Sequence, residues 1–183
     1  SVIDHGMGTT SSLSSRFVVS GGNDLNVGVG AGILSIGDYH GGAGEKAMKQ
    51  FHSWKELSNV EEIVREKIKN REVIFGFGHR EYKEGDPRVE VILDVMSEIG
   101  FESKFLKFKN IVEDSFKEIK GKNIPINIDG LIAILLCDFG FDSSLGKGVF
   151  IIGRTPGLVA QVQEEISTEK PVRRVRNDDI EYE

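Results

Sequence analysis

The 183-residue sequence has little cysteine, no long apolar run and no excess of positive charge. Its one cysteine, Cys137, excludes an internal disulfide and a metal site built from several thiolates. The longest apolar run, residues 131–137, is far too short to cross a bilayer. A formal net charge of −6 argues against a nucleic-acid partner bound by bulk electrostatics. No charged segment followed by an apolar one opens the chain, so we expect a cytoplasmic protein that is not held in a membrane.

Strand-like alternation of apolar and polar residues is also hard to find, whereas apolar residues recur at helical spacing. These stripes predict helices with a buried face, and their members are Val60, Ile63, Val64 and Ile68, then Val89, Ile92, Leu93, Met96 and Ile99, then Phe105, Phe108, Ile111, Val112, Phe116 and Ile119. Ser58 and Glu61 predict a capping box ahead of the first stripe. Glycines at 28, 30 and 32 would let another helix pack closely on a neighbour. We therefore expect a mostly helical chain of one or two domains.

Residues 76–88 carry a histidine and an arginine on one short segment. Two glycines flank His79, so the backbone there can turn sharply or approach a ligand closely. Asp86, followed by proline, predicts a helix N-cap that places Arg88 in the first turn. Such a pair suits an anionic substrate whose carbonyl must be polarised. For this segment alone, a surface turn with solvated charges is an equally good interpretation.

His40 and Asp129 are two further candidate residues. The glycine-rich loop after His40 offers backbone amides to an anion, although a histidine that only packs locally fits as well. Apolar residues around Asp129 would desolvate its carboxyl, which raises the pKa of an aspartate and favours proton acceptance near neutral pH. Asp129 is alternatively the N-cap of the following helix, and the two roles are compatible. His40 and Glu45 do not form a zinc motif, and the early glycines do not complete a dinucleotide fingerprint.

Two arginine-bearing segments lie near the end of the chain. Arg154 belongs to a Gly-Arg-Thr-Pro-Gly stretch, residues 153–157, which follows a short apolar segment and precedes a predicted amphipathic helix with Leu158, Val159, Val162 and Ile166 on its apolar face. An arginine cluster that includes Arg174 follows Pro171. Arginine is the side chain best suited to bidentate binding of carboxylates, so both segments are candidate anion contacts.

Taken in order, these motifs resemble the citrate synthase family. The resemblance rests on Asp4-His5-Gly6, His40-Gly41-Gly42-Ala43, Gly76-Phe77-Gly78-His79 with Asp86-Pro87-Arg88, Asn127-Ile128-Asp129, Gly153-Arg154 and Pro171 to Arg174. Each motif is weak alone, but together they cover nearly the whole chain in family-like order and spacing. The resemblance implies an all-α fold with a large helical domain plus a small lid domain. Residues 1–40 and 130–183 would belong to the large dimerisation domain, and residues 41–129 would form the small domain.

The resemblance also implies roles for individual residues. Asp129 would remove a methyl proton from acetyl-CoA, His40 would hydrogen-bond the enol or enolate oxygen, and His79 would polarise the oxaloacetate carbonyl. Further substrate contacts are implied for His5, Arg88, Arg154 and Arg174, of which Arg174 would reach into the site of the neighbouring subunit. Contacts with coenzyme A are implied for Phe75, Gly76, Phe77, Gly78 and Lys122. No metal and no tightly bound cofactor are expected, because the coenzyme A thioester is itself a substrate.

The implied activity is a Claisen condensation of acetyl-CoA with oxaloacetate, which gives citrate and CoA by way of citryl-CoA in a homodimer. Citryl-CoA lyase, 2-methylcitrate synthase and an inactive fragment that only binds or dimerises are the alternatives. Three departures leave the direction and the substrate open. The helical stretch that begins family citrate synthases is missing, Gly44 stands where many have asparagine, and Arg80-Glu81 replaces a small apolar pair. We expect either a piece of a longer protein or a shorter lyase-like enzyme.

Overall fold

A computed structural model describes residues 1–79 and 82–174, so Arg80 and Glu81 lie outside the described residues. The described residues form eight α-helices and isolated bridges in place of a sheet, which confirms the predicted all-α fold. The helices are α1 (Thr10–Ser20), α2 (Leu25–Leu34), α3 (Ala43–Lys55), α4 (Val60–Lys69), α5 (Pro87–Glu98), α6 (Lys107–Lys120), α7 (Ile128–Asp138) and α8 (Leu145–Thr168). Among them, none combines the length and the apolar character that a membrane span requires.

The chain separates into two compact units. The first unit comprises Ser1–His40 with the described part of Phe150–Glu183, and the second comprises Gly41–Val149. Helices α1 and α2 belong to the first unit, and α3 to α7 belong to the second. The expected roles of residues 130–183 in dimerisation and of residues 41–129 as a lid stay predictions.

The core of the second unit is built from the predicted apolar stripes. Helix α3 packs on α7, and α4 packs on α6. Phe51 and Phe108 stack almost in parallel with ring centroids 6.0 Å apart, and Trp54 meets both rings edge-on. Fully burying one such side chain contributes roughly 1.5–3 kcal/mol to folding. Ile99 departs from its predicted stripe, because α5 ends at Glu98 and leaves Ile99 70% exposed.

In the first unit, α2 lies close to α1 and α8 through two glycines, as the glycine spacing predicted. A Cβ at Gly28 would lie 3.0 Å from the Val162 side chain, and one at Gly32 would lie 2.9 Å from Leu158. Each glycine weakens a helix by about 1 kcal/mol relative to alanine. The close contacts with Val162 and Leu158, both fully buried, offset that cost.

Two local predictions are wrong. Helix α4 begins at Val60 with Asn59 at its N-cap and no side-chain cap bond, so the capping box does not form. The helix predicted from Leu158 begins at Leu145 instead, so the Gly-Arg-Thr-Pro-Gly stretch lies inside α8. A Cβ at Gly153 would lie 2.7 Å from the Val2 side chain, and one at Gly157 would collide with the carbonyl of Ile3. These glycines therefore let the amino-terminal segment lie directly on α8.

Candidate active site

In the second unit, the loop that carries His79 lies against the start of α7. Gly76 has a φ of +87°, and a Cβ there would lie 2.6 Å from the Cα of Gly130. A Cβ on Gly130 would in turn collide with the carbonyl oxygen of Gly76. That oxygen accepts a hydrogen bond from Asn127 N at 2.9 Å, and Gly78 N donates to the carbonyl of residue 125 at 2.8 Å. The loop and the start of α7 therefore form one tightly joined element.

Asn127 is the N-cap of α7 and also ties that helix to the histidine loop. Its Oδ1 accepts from Gly130 N at 3.0 Å, while its Nδ2 donates to the carbonyl of Gly78 at 2.8 Å. The interpretation of Asp129 as the N-cap is therefore wrong. Asp129 is half-buried in the first turn of α7, where the helix dipole favours a negative charge.

His79 is half-buried, and its ring stacks on Tyr82 with centroids 4.8 Å apart. His79 Nδ1 accepts a hydrogen bond from Tyr82 N at 3.2 Å. In a neutral imidazole, an accepting Nδ1 leaves the proton on Nε2. The Arg88 guanidinium lies 5.7 Å from the centroid of the Tyr82 ring. Tyr82 thus contacts two of the predicted site residues, and a neutral His79 with this hydrogen bond can donate to a carbonyl oxygen through Nε2.

Asp86 is the N-cap of α5, as predicted, and it also holds the side chain of Arg88. Its Oδ1 accepts from Arg88 N at 3.1 Å and from Arg88 Nε at 2.9 Å, and its Oδ2 accepts from Arg88 Nη2 at 2.7 Å. Burial alone would raise the pKa of the Asp86 carboxyl, but these hydrogen bonds and the charge of Arg88 outweigh it and lower that pKa. The hydrogen bond to Asp86 raises the pKa of Arg88, and the negative charge of Asp129 adds to this.

In the first unit, His40 lies in a positively charged and partly buried setting. Its Nε2 is 2.8 Å from Ser11 Oγ, and its ring meets Phe150 edge-on at 6.1 Å. Burial lowers the pKa of His40, and the positive charges of Arg154 and His5 lower it further. His40 is therefore neutral at neutral pH, and one of its ring nitrogens carries a proton that can be donated.

Arg154 and His5 are brought together by the amino-terminal segment that lies on α8. Arg154 is 4% exposed, and its Nε donates to the carbonyl of Val2 at 2.7 Å. Asp4 Oδ1 accepts from Gln161 Nε2 at 3.1 Å, which fixes the residue before His5 on the same helix. Three of the predicted site residues, His5, His40 and Arg154, thus form one electrostatic group.

The carboxy-terminal arginine segment is anchored on Glu165 of α8. Arg173 binds this buried carboxylate with one edge of its guanidinium, Nε to Oε1 at 2.8 Å and Nη2 to Oε2 at 2.5 Å. Arg16 Nη1 donates to the same carboxylate at 3.1 Å. Arg174, the predicted substrate contact, is exposed beside this anchor. Its reach into a neighbouring subunit stays a prediction.

A groove of about 370 Å³ lies beside the loop predicted to contact coenzyme A. It is lined by Lys46, Lys49, Gln50, Ser53, Trp54, Lys67, Val73 and Phe75. Gln50 fixes the backbone of Phe75, since its Nε2 donates to the Phe75 carbonyl and its Oε1 accepts from Phe75 N, each at 3.2 Å. The Lys46 ammonium lies 5.7 Å from the centroid of the Phe75 ring. An aromatic ring with nearby lysines can bind a base and its phosphates. Lys122 is exposed in the turn after α6 and does not line this groove.

Sequence reasoning missed most of the residues that position these groups. Asn127 and Gly130 show N-cap spacing, a signal that could have located the start of α7. The contact between Gln50 and Phe75, which are 25 residues apart, left no local signal in the sequence. Within residues 1–79 and 82–174, no group of three or more His, Cys, Asp or Glu residues is placed to hold a metal ion.

The sequence was compared with family models, curated proteins and solved structures. Residues 1–176 match the family model described as citrate synthase, C-terminal domain. Citrate synthase 2 of Bacillus subtilis (strain 168) is 31% identical over 174 residues, which cover 93% of this chain and 46% of that relative. The chain spans less than half the length of the curated relatives it matches.

Solved structures that are similar over the whole chain include two lyases. The structure of citryl-CoA lyase from Hydrogenobacter thermophilus has a TM-score of 0.94 and 45% identity, covering 100% of this chain and 72% of that one. ATP citrate lyase from Methanothrix soehngenii, solved in complex with citrate and coenzyme A, has a TM-score of 0.83 and 25% identity, covering 100% and 32%. Because the family model spans nearly the entire sequence, the chain belongs to the citrate synthase family.

Proposed function

We propose that the chain catalyses formation and cleavage of the carbon–carbon bond of citryl-CoA, the bond that joins acetyl-CoA to oxaloacetate. The observation that carries this proposal is the arrangement in the second unit. There a half-buried carboxylate, Asp129, acts electrostatically on Arg88, and the loop bearing His79 is bonded to the helix bearing Asp129. A Claisen reaction needs a base, a group that binds the substrate carboxylate and a hydrogen-bond donor to the carbonyl, and Asp129, Arg88 and His79 would fill these roles in that order.

Enolisation is the first step in the direction of bond formation. Asp129 takes a proton from the methyl group of acetyl-CoA, and the electron pair of that C–H bond moves toward the thioester oxygen. A thioester methyl group is a weak acid, so the charge on the oxygen needs a donor. His40 supplies one N–H from its neutral imidazole. A preorganised donor of this kind contributes about 3–4 kcal/mol to stabilising the transition state.

Bond formation follows when the enol carbon attacks the ketone carbon of oxaloacetate. The carbonyl electron pair moves onto oxygen, and His79 transfers its Nε2 proton there, giving the hydroxyl of citryl-CoA. Asp129 then releases the methyl proton to water and His79 regains a proton from water, so both residues return to their starting protonation states. Arg88, Arg154, Arg174 and His5 bind the two carboxylates of oxaloacetate. Because arginine can meet a carboxylate with two parallel hydrogen bonds, these residues orient the ketone for attack.

Cleavage is the same path reversed. In this direction Asp129 starts protonated and Nε2 of His79 starts without its proton. His79 takes the hydroxyl proton of citryl-CoA, the carbon–carbon bond breaks, and Asp129 gives its proton to the enol carbon. The 45% identity with a citryl-CoA lyase, against 31% with a citrate synthase, favours this direction. Overall citrate synthesis is the second candidate, supported by the family match, and it requires one further step. In that step water attacks the thioester carbonyl of citryl-CoA and releases citrate and CoA.

The adenosine end of coenzyme A is proposed to lie along residues 73–78, with its phosphates toward the lysines of the groove. The ring of Phe75 and the nearby Lys46 support this placement. Two other lysines of the groove, Lys49 and Lys67, are paired with neighbouring glutamates at 2.7 Å and 3.0 Å. They can turn to a phosphate because both pairs are partly exposed and such pairs contribute little.

A homodimer is proposed as the working form. Large apolar side chains are exposed on the first unit, where a second copy could cover them, and they include Phe17, Val27, Leu34, Ile152 and Ile166. Covering such side chains removes apolar surface from water and favours association. Light scattering that gives the mass of one chain at micromolar concentration would contradict this part of the proposal.

Whether the chain acts as a lyase or as a synthase is tested by identifying the products that it forms from citryl-CoA. Citryl-CoA is incubated with the purified chain, and acetyl-CoA, oxaloacetate, citrate and free CoA are measured over time. Cleavage to acetyl-CoA and oxaloacetate identifies the lyase, and release of citrate and CoA identifies the synthase. Propionyl-CoA with oxaloacetate serves as the probe for 2-methylcitrate synthesis. Absence of every product, in a sample shown to be folded, would contradict the proposed chemistry and favour a fragment that only binds or dimerises.

A further inference from the structure

Asp86 contacts two elements that carry different parts of the proposed chemistry. On α5 it receives three hydrogen bonds from Arg88, through the backbone N, Nε and Nη2. Its Oδ2 also accepts from Ile128 N at 3.1 Å, and Ile128 is the first residue of α7, one residue before Asp129. The side chain of Asp86 is 1% exposed, so one buried carboxylate joins the two helix starts.

We propose that Asp86 is a positioning residue that fixes Arg88 and the start of the Asp129 helix relative to each other. The inference rests on the proposed function, because it assigns Arg88 to the substrate carboxylate and Asp129 to proton transfer. Asp86 acts through these two residues and does not contact substrate.

The hydrogen bonds exceed what a helix cap requires. An N-cap needs a single acceptor for a backbone N–H, and serine or asparagine supplies it equally well. Asp86 uses both oxygens, and it binds the Nε and Nη2 edge of the Arg88 fork. Arginine has five N–H donors, so the Nη1 and Nη2 edge keeps donors for a substrate carboxylate. The two oxygens of one carboxylate therefore hold the guanidinium of Arg88 and reach Ile128 N together.

Losing this link should affect both binding and turnover. Without Asp86 the guanidinium of Arg88 can rotate, which weakens the binding of oxaloacetate and raises KM. The first turn of α7 loses one of its bonded N–H groups, which displaces Asp129 and lowers kcat. A displacement of about 1 Å in a reacting group reduces the rate by roughly 100-fold.

The test compares Asp86→Ser and Asp86→Asn with the wild-type chain. Both replacements are good N-caps, so α5 should still form, although the lost bonds to Arg88 and Ile128 lower the melting temperature. We expect the KM for oxaloacetate or citryl-CoA to rise about 10-fold or more, and kcat to fall by roughly 10- to 100-fold. Wild-type KM and kcat in Asp86→Ser would overturn the proposal, because the residue would then be a helix cap alone.

A second comparison separates the effect of Asp86 on Arg88 from its effect on the start of α7. In an Arg88→Ala background, Asp86 can no longer act through Arg88. The further replacement Asp86→Ser should still lower kcat, because the bond to Ile128 is lost. If the double variant has the same kcat as Arg88→Ala alone, the proposed effect of Asp86 on Asp129 is overturned.

A third readout does not depend on activity. Amide hydrogen exchange at Ile128 should be about 10-fold faster or more in Asp86→Ser, and the NMR signal of Arg88 Nε–H should shift. If the wild-type chain makes and cleaves no citryl-CoA, the proposed function fails while this exchange rate still decides whether Asp86 holds the helix start. Unchanged exchange at Ile128 and an unchanged Arg88 signal would overturn the positioning role itself.

Discussion

Gly76 and Gly130 touch backbone to backbone, and neither position has room for a side chain. Gly76 holds a φ of +87°, and a Cβ on it would lie 2.6 Å from the Cα of Gly130. This contact sets the distance between the loop that carries His79 and the helix that carries Asp129. The proposed donor and the proposed base are therefore placed by two residues that have no chemistry of their own.

Gly130→Ala should destabilise the chain, even though alanine is the better helix former. The added methyl group would collide with the Gly76 carbonyl oxygen and separate the loop from α7. Overpacking of this kind costs about 1–3 kcal/mol, which chemical denaturation measures as a fall in unfolding free energy. Gly148→Ala is the matched control, because that position also lies in a helix and a Cβ there meets nothing within 4 Å. The control should gain up to about 1 kcal/mol. Equal stability of the two variants would contradict the close contact.

Lys46→Gln and Lys67→Gln should each weaken binding of CoA by about 3- to 10-fold, as expected for a partly exposed charge. If the 3′-phosphate meets these lysines, dephospho-CoA should bind almost equally well to the wild type and the variants. Lys69→Gln is the control, because Lys69 is exposed on the same helix as Lys67 and does not line the groove. Isothermal titration at low and high salt measures the difference. An equal loss for both ligands would show that the lysines do not contact the 3′-phosphate, and no loss for either ligand would remove the phosphates from this groove.

The stability of the chain should fall as the pH drops below 6.5, the ordinary pKa of histidine, partly because of His40. Burial, Arg154 and His5 lower its folded pKa, so the unfolded chain takes up the proton first. Between the two pKa values the unfolded state binds more protons, and the unfolding free energy therefore rises with pH. His40→Gln should flatten this part of the profile, measured by urea unfolding at pH 7.5 and at pH 5.5. An identical slope in the variant would show that His40 is not desolvated.

Local patterns in the sequence were sufficient for much of the fold. The helical spacing of Val64, Phe108 and Val112 predicted a buried face, and all three side chains are almost fully buried. The Asp86-Pro87 pair predicted the start of α5, because capping involves residues that are adjacent in sequence. The glycines of α2 also predicted close packing, because their spacing places them on one helix and is readable from the local sequence.

Contacts between distant residues were not predictable in this way. The helix was predicted to begin at Leu158, after Gly153 and Pro156, yet α8 runs through both residues. A proline inside a helix costs about 3 kcal/mol. Residues 2 and 3 lie on Gly153 and Gly157 of this helix, a contact that the local sequence does not signal. The bond from Ile128 N to Asp86 spans 42 residues, and nothing in either segment alone signals it. The candidate reacting residues were accessible from motifs, whereas the residues that position them were not.

Asp129 is proposed as the residue that moves the proton of the acetyl group. The measurement is the rate of citryl-CoA cleavage or formation by Asp129→Asn, with Asp94→Asn on the exposed face of α5 as the control. We predict that Asp129→Asn lowers the turnover rate by about 100- to 10,000-fold, the usual contribution of a general base, while Asp94→Asn keeps the wild-type rate. A rate close to that of the wild type in the Asp129→Asn chain would contradict the proposed role of Asp129 in proton transfer.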